Sequence, residues 1–382
     1  MDFELSEEQQ MLRKMVRDFA EKEVAPKLAS VKEGEPLPPE IRKSLADLGL
    51  LGMCLPAEYG GDERPVLDAV LAIEELIQVS NLVSIQVMEA NTGPARIVER
   101  YALPEVKAQV LPGVAKGEIT ISPGMTEAEA GSALTDLQTK AVLQGDHYVV
   151  NGAKLFQHTD ADYFLTYVRL TEDKGARGIG ALLIGKDYPG ISVGSPQEFM
   201  GLKSPRGEIV YDNCIVPKEN LVVNAGDFRN LIDSFNLERC GNAASCLGLA
   251  QRALTLSQEY SRQRKAFGRE ICEFQAVQFM LADMALKVEA ARLLLYRAAV
   301  GAGRGFPSPL EANLAKCFAN EMVRDVTGLA LQLHGGYGYS KEYVIEKIFR
   351  DGWGWGVAGG TVQMQKITIA SQLLGRSFPQ RV

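Results

Sequence analysis

"HYVVNGAKLF", residues 147–156, sets two short strand-like segments on either side of Asn151-Gly152. That dipeptide favours the left-handed backbone of a two-residue turn, so the stretch predicts a β-hairpin near the middle of the chain. Further short apolar runs follow it: "DYFLTYVRL" (162–170), "IGALLIG" (179–185) and "EIVYDNCIVP" (208–217). Residues 119–225 therefore read as a β-domain.

Outward from that domain the periodicity changes to helical on both sides. In residues 1–118, Ser6 and Gln9 form a capping-box pattern, and Leu12, Met15, Val16 and Phe19 follow at helical spacing. Pro26 falls near the end of that helix. Ile41, Leu45 and Leu48 mark a second helix, and Val66, Val70, Ile73 and Ile77 a third. Residues 226–382 read as long helices interrupted at Gly268, Pro307 and Gly335-Gly336. The fold class expected is α+β: an N-terminal helical domain, a middle β-domain and a C-terminal helical bundle. This order argues against the strand–helix alternation of a Rossmann enzyme, and the phosphate-binding glycine motifs of such enzymes are missing.

Composition narrows the function. The 382 residues are 46% hydrophobic and 23% charged, with a net charge of −7, which disfavours nucleic acid or an anionic membrane as partner. The six cysteines form no CxxC pair and there are three histidines, so reduced thiols, no metal site and a cytoplasmic setting are expected. "MDFELSEEQQ" lacks the apolar core of a signal peptide. The most apolar long stretch, residues 66–88, carries Asp68, Glu74 and Glu75 and is too polar to span a bilayer.

Four segments look able to approach a ligand. "TEAEAGSA" (126–133) offers hydroxyls and backbone N–H groups, and "RQRKAFGRE" (262–270) offers arginines shaped for a diphosphate. "LQLHGGYGYS" (331–340) and "WGWGVAGGTVQMQK" (353–366) offer glycines that allow close backbone approach. The last reads as loose up to Gly360, with a helix beginning near Thr361. Singly, each is equally well an ordinary loop or helix end.

Taken in order, "TEAEAGSA", "RKAFGREICEFQ", "LHGGYGYSKEY" and "RDGWGWGVAGGTVQMQ" resemble the acyl-CoA dehydrogenase family of flavoproteins over essentially the whole chain. The resemblance implies FAD between the β-domain and the C-terminal helices. Thr126 would face the flavin. Arg264, Phe267, Gln275, Gln332, Gly335 and Gly336 would hold the diphosphate and adenosine end of a neighbouring subunit's FAD, and Thr361 and Gln363 would serve the adenosine end. Ser132 and Arg239 would contact acyl-CoA. Where relatives carry a tryptophan and a threonine or serine beside the flavin, this chain has Phe156 and His158, with Thr159 as a substitute for the latter. A homotetramer and an electron-transfer flavoprotein as partner also follow from the resemblance.

The base is the informative departure. Many members carry a glutamate in a "YEGT"-like loop, where this chain has "AGGT" with Gly359 at the glutamate position. Isovaleryl-type and long-chain-type members instead place a glutamate just before the CoA-binding arginine, as Glu238-Arg239 stand here in "FNLERCGNAAS". Glu238 is thus the expected base, with Glu89 of "VMEANTG" a pocket-lining alternative. The small residues 241–245 suggest close packing or a wider pocket, and with Gly359 they point to a short branched or cyclic acyl chain. Alternatives are desulfination or enoyl-CoA reduction on the same fold, or a non-catalytic flavin or acyl-CoA binding protein.

Overall fold

A computed structural model of the chain describes residues 4–31, 35–201, 205–378 and 380. Ser6 caps α1 (Glu7–Phe19), with the reciprocal Ser6–Gln9 bonds of a capping box in place. Pro26 has no N–H to donate. The turn before it widens to a π-turn (Ala20–Val24), and α2 (Ala25–Leu28) closes the segment. Helices α3 (Pro39–Asp47), α4 (Val66–Ile77), α5 (Asn81–Asn91), α6 (Pro94–Tyr101) and α7 (Pro104–Ala115) complete the N-terminal part. The apolar stretch 66–88 is thus two helices in the core, and no helix among the described residues is long and apolar enough to cross a membrane.

The β-strands are β1 (Ile121–Gly124), β2 (Lys140–Gln144), β3 (His147–His158), β4 (Tyr163–Arg169), β5 (Ile179–Gly185), β6 (Ile191–Val193), β7 (Arg206–Pro217) and β8 (Leu221–Val223). They form one sheet in the order β6-β7-β3-β2-β4-β5-β8, with β1 added parallel to β4. Within it the hairpin stands in a different place from the expected one. β3 runs unbroken through Asn151-Gly152, and the tight turn lies at Gly145-Asp146, where Gln144 pairs with His147. Asn151-Gly152 is instead a bulge against β7, with the register shifting between Val150 and Gly152. Gly152 adopts φ +145, and a Cβ there would stand 2.5 Å from Thr139 Oγ1. Only the glycine of the dipeptide takes a positive φ, and it does so within a bulge rather than in a two-residue turn.

The remaining helices are α8 (Phe228–Gln263), α9 (Gln275–Ala302), α10 (Pro309–His334), α11 (Ile345–Trp355) and α12 (Val362–Leu374), with the short pair β9 (Lys265–Ala266) and β10 (Arg269–Glu270) after α8. The "WGW" of residues 353–355, read as loose from its glycines, closes α11. Thr361 is the N-cap of α12 and accepts from the Met364 N–H.

Helix α8 is the spine, packing on α10, α9, α11 and the N-terminal helices. Its small residues serve close packing rather than a wider pocket. A Cβ on Gly241 would meet Thr92 Oγ1 at 2.3 Å, and one on Gly248 would meet the Glu74 carbonyl at 2.4 Å. Buried charge secures the same seam. Glu74 on α4 pairs with Arg292 of α9 and Arg13 of α1 and accepts from Tyr296, while Glu75 pairs with Arg13 and Arg17. Removing a partner from such a buried set costs about 3–5 kcal/mol.

Candidate active site

Glu238 lies eleven residues into α8, where the helix passes the loop 356–361 between α11 and α12. Its carboxylate points at Gly359. A Cβ on that glycine would stand 2.7 Å from Glu238 Oε2 and 2.9 Å from Oε1. Gly359 (φ +64) and Gly360 (φ +85) occupy the left-handed region, which suits glycine. The absent side chain at 359 and the carboxylate from 238 therefore claim one volume.

That loop is held from beneath by Lys316 of α10. Its side chain is fully buried, and its Nζ donates to three successive carbonyls: Ala358 (2.8 Å), Gly359 (2.8 Å) and Gly360 (2.5 Å). Asn242 donates to the Trp355 and Ala358 carbonyls, and Asn320 to Asn242 Oδ1 and the Trp355 carbonyl. Burial raises the Glu238 carboxyl above its ordinary pKa, while the charges of Lys316, Arg239 and Arg206 pull against that rise. Burial lowers Lys316 to about 8, opposed by Glu238. Glu238 Oε2 is buried with no hydrogen-bond partner. A carboxylate whose pKa burial has raised is chemically able to take up a proton.

Arg239 is buried too. It bonds Asn236 Oδ1 and lies over the Phe235 ring at 5.3 Å, leaving its Nε without a partner. Glu89 of α5 reaches the pocket region through His158, whose Nε2 is 3.0 Å from Glu89 Oε1 and 2.7 Å from an Arg206 nitrogen. Thr159 turns away and donates its hydroxyl to the Pro205 carbonyl at 2.9 Å. Of the two neighbours, His158 is the one buried beside Glu89. Phe156 sits with φ +64, half exposed, edge-on to Phe199.

The loop carrying Thr126 is tied to the sheet by a latch. Lys154, fully buried on β3, pairs with Glu127 at 2.7 Å, and Glu127 accepts the N–H groups of Gln138 and Thr139. Burial lowers Lys154 to about 8 against the pull of Glu127. Ser132 is exposed in the turn that follows.

Arg264, Gly335 and Gly336 come together, with Tyr260, His334 and Tyr337, around a cavity of about 520 Å³. A Cβ on either glycine would meet nothing within 4 Å, so their backbone faces open space. Nearby, Phe267 stands at the β9–β10 tip with φ +52 and is 96% exposed. Gln275 opens α9, and Gln332 lies in the last turn of α10. Gln363 is exposed in the first turn of α12. Glu238 is not among the residues that line the Arg264 cavity.

Sequence reading missed Lys316, Arg206, and the Glu127–Lys154 latch. The available signal was a lysine on an apolar helix face, as in "ANLAKCFAN", and another inside a strand.

Two helical domains around a β-domain, with a buried carboxylate beside a glycine loop, define a class that comparison with known proteins makes specific. Models of the N-terminal, middle and C-terminal domains of acyl-CoA dehydrogenases match residues 6–118, 122–214 and 227–374. The chain belongs to the acyl-CoA dehydrogenase family. It is 38% identical to "Acyl-CoA dehydrogenase, short-chain specific" of Clostridium acetobutylicum, over 98% of this chain and 100% of that one. It is 35% identical to "Caffeyl-CoA reductase-Etf complex subunit CarC" of Acetobacterium woodii, over 97% of this chain and 99% of that one. A solved structure described as the FAD complex of PigA superposes with a TM-score of 0.92 at 27% identity, covering 98% of this chain and 99% of that one.

Proposed function

We propose that the protein is an FAD-dependent acyl-CoA dehydrogenase in which Glu238 removes the α-proton of a short acyl thioester. The observation that carries this reading is the carboxylate of Glu238 lying in the volume that a side chain at position 359 would fill. The fold, the family and an FAD complex among its structural relatives support FAD as cofactor. The residues present fit it: the latched loop presents Thr126 to the flavin, and the Arg264 cavity supplies a guanidinium and two open glycine backbones for the diphosphate of a neighbouring subunit's FAD. Bound FAD would supply the acceptor for the hydride that leaves the β-carbon.

The protein's part is to place and tune the base. A thioester acidifies its α C–H, and a carboxylate whose pKa burial has raised is better matched to that proton than a solvated one. Lys316 holds the glycine wall against which Glu238 rests and supplies charge that favours its ionised form. Arg239 reads as a contact to CoA through its unpartnered Nε and Ser132 as one through its exposed hydroxyl. The base position resembles that of isovaleryl-type members. The branched or cyclic preference gains no support from the packing, because the Glu238 carboxylate takes the room at Gly359 and Gly241 lies tight against Thr92.

An electron-transfer flavoprotein is the proposed electron partner, in keeping with the Etf complex named for the Acetobacterium relative. That relative is called a reductase, which favours reverse turnover as the second reading: Glu238 would then deliver the α-proton to an enoyl thioester. A homotetramer is proposed, supported by an apolar stripe on α9. Phe279, Leu286, Leu293 and Val300, each seven residues apart, are 61%, 70%, 45% and 64% exposed.

The test is anaerobic titration of the purified flavoprotein with straight, branched and cyclic acyl-CoAs. Flavin bleaching that is lost in Glu238→Gln with FAD retained is expected. Undiminished bleaching in that variant removes Glu238 as base.

A further inference from the structure

Phe156 on β3 holds a backbone conformation that is costly for a bulky residue, with φ +64. It lies in the second irregularity of β3 against β7. Lys154 pairs with Ile209 and Gln157 with Gly207, so Leu155 and Phe156 together face the single residue Glu208. The strain does not serve to bury the ring, which is 45% exposed and edge-on to Phe199. Bulges beside binding sites re-aim a side chain, and strain of this kind persists only where neighbours hold it.

This bulge is held at both ends and in the middle. The Leu155 N–H donates to the Thr126 carbonyl at 2.8 Å, which joins the bulge to the latched loop. The His158 N–H donates to Ser122 Oγ of β1 at 3.1 Å. Between them stands Arg206 of β7, the cross-strand partner of His158. It donates one terminal nitrogen to the Phe156 carbonyl at 3.0 Å and the other to His158 Nε2 at 2.7 Å. A guanidinium has donors and no acceptor, so His158 Nε2 receives through its lone pair. The rigid fork spans carbonyl and ring at once, whereas a lysine ammonium is a single point on a flexible stem.

We infer that Arg206 is a positioning residue for the cofactor: by tying the Phe156 carbonyl to the His158 ring, it keeps the strained Phe156 ring in place beside bound FAD. The inference rests on the reading above that Thr126 is presented to the flavin. It extends to Phe156 because Leu155, the residue before it, is bonded directly to Thr126.

The test is a mutant cycle on the FAD-loaded protein, read by visible circular dichroism of the flavin and by the FAD dissociation constant. Phe156→Gly removes the ring and suits the left-handed backbone. It should alter the flavin bands and weaken FAD binding about three- to tenfold, the size of one aromatic contact. Arg206→Ala should shift both readouts in the same direction. The double variant should be no worse than Phe156→Gly alone, because Arg206 acts through that ring. Arg206→Lys keeps one donor head and should recover part of the loss. If Arg206→Ala does not fold, the cycle is run with Arg206→Lys and judged on the same non-additivity. Additive losses in the double variant overturn the inference, as do flavin bands and FAD affinity in Arg206→Ala that match the wild type. Either result, with altered bands in Phe156→Gly, leaves Phe156 beside the flavin. Bands and affinity unchanged by Phe156→Gly remove that ring from the cofactor, and the inference falls with it. Bleaching of the wild type by acyl-CoA is read separately, so failure of the dehydrogenase reading is told apart from both.

Discussion

The carboxylate of Glu238, carried by α8, fills the space that a side chain on Gly359 would occupy, 2.7 Å from where its Cβ would be. Position 359 is therefore a glycine for two independent reasons: its φ of +64, and a neighbour that has taken its room.

Gly359→Ala separates those reasons. The left-handed backbone costs an alanine about 1 kcal/mol, and the group it would strike is the mobile end of a glutamate, so the melting temperature should fall by only a few degrees. The proposed base, however, must move. Flavin bleaching by acyl-CoA should drop by about tenfold or more. Equal and mild effects on melting and bleaching would show that the contact carries no function. In Glu238→Gly/Gly359→Glu the base returns from the loop, and bleaching should partly recover relative to Glu238→Gly.

Lys316→Met tests tuning by pH. Glu238 already has a raised pKa, so the rate climbs with pH as it ionises; deleting the Lys316 charge removes what opposes the rise. The acid limb of the kcat/KM profile should move to higher pH. The alkaline limb that Lys316 itself, at about 8, contributes should vanish. An acid limb that stays in place would reduce Lys316 to a purely structural role.

Breaking the Glu127–Lys154 latch should loosen the loop that carries Thr126. Lys154→Met leaves the half-buried Glu127 with only the N–H groups of Gln138 and Thr139, a loss of about 1–3 kcal/mol readable in urea unfolding. Protease cleavage within residues 125–139 should quicken, and FAD should be held less tightly. Unchanged FAD affinity would disconnect the latch from the cofactor site.

The seam between α1, α4 and α9 predicts acid sensitivity. Burial alone would raise the Glu75 carboxyl, but Arg17 and Arg13 outweigh it and hold the pKa below the ordinary value. A carboxyl depressed in the folded state stabilises it above the unfolded pKa and loses that contribution as pH falls through the folded value. Stability measured by denaturant should thus decline on acidification below the ordinary glutamate range. Glu75→Gln should flatten that decline while lowering stability at neutral pH.

Leu286→Glu on the exposed stripe of α9 should yield a smaller species by light scattering, with its secondary structure kept. An unchanged mass would remove the stripe from the proposed assembly.

The helical, β, helical order was legible from local periodicity, because each element shows its buried face every 3.6 or 2 residues. The capping box at Ser6 and the N-cap at Thr361 were equally local. The hairpin was misplaced because Asn-Gly reports a backbone conformation, and whether that makes a turn or a bulge depends on the partner strand. The glutamate at 238 and the glycine at 359 could be paired beforehand only through a family pattern, since 120 residues separate them.

By itself, then, the sequence determined the order of the helical and strand regions and the caps at Ser6 and Thr361, since those properties are written within a few residues of one another. Tertiary structure alone decided that Lys316 clamps the carbonyls of 358–360, that residues 241–245 serve packing, and that one nitrogen of His158 lies between Arg206 and Glu89. Those outcomes depend on distances between elements far apart in the chain. No local pattern encodes a distance of that kind.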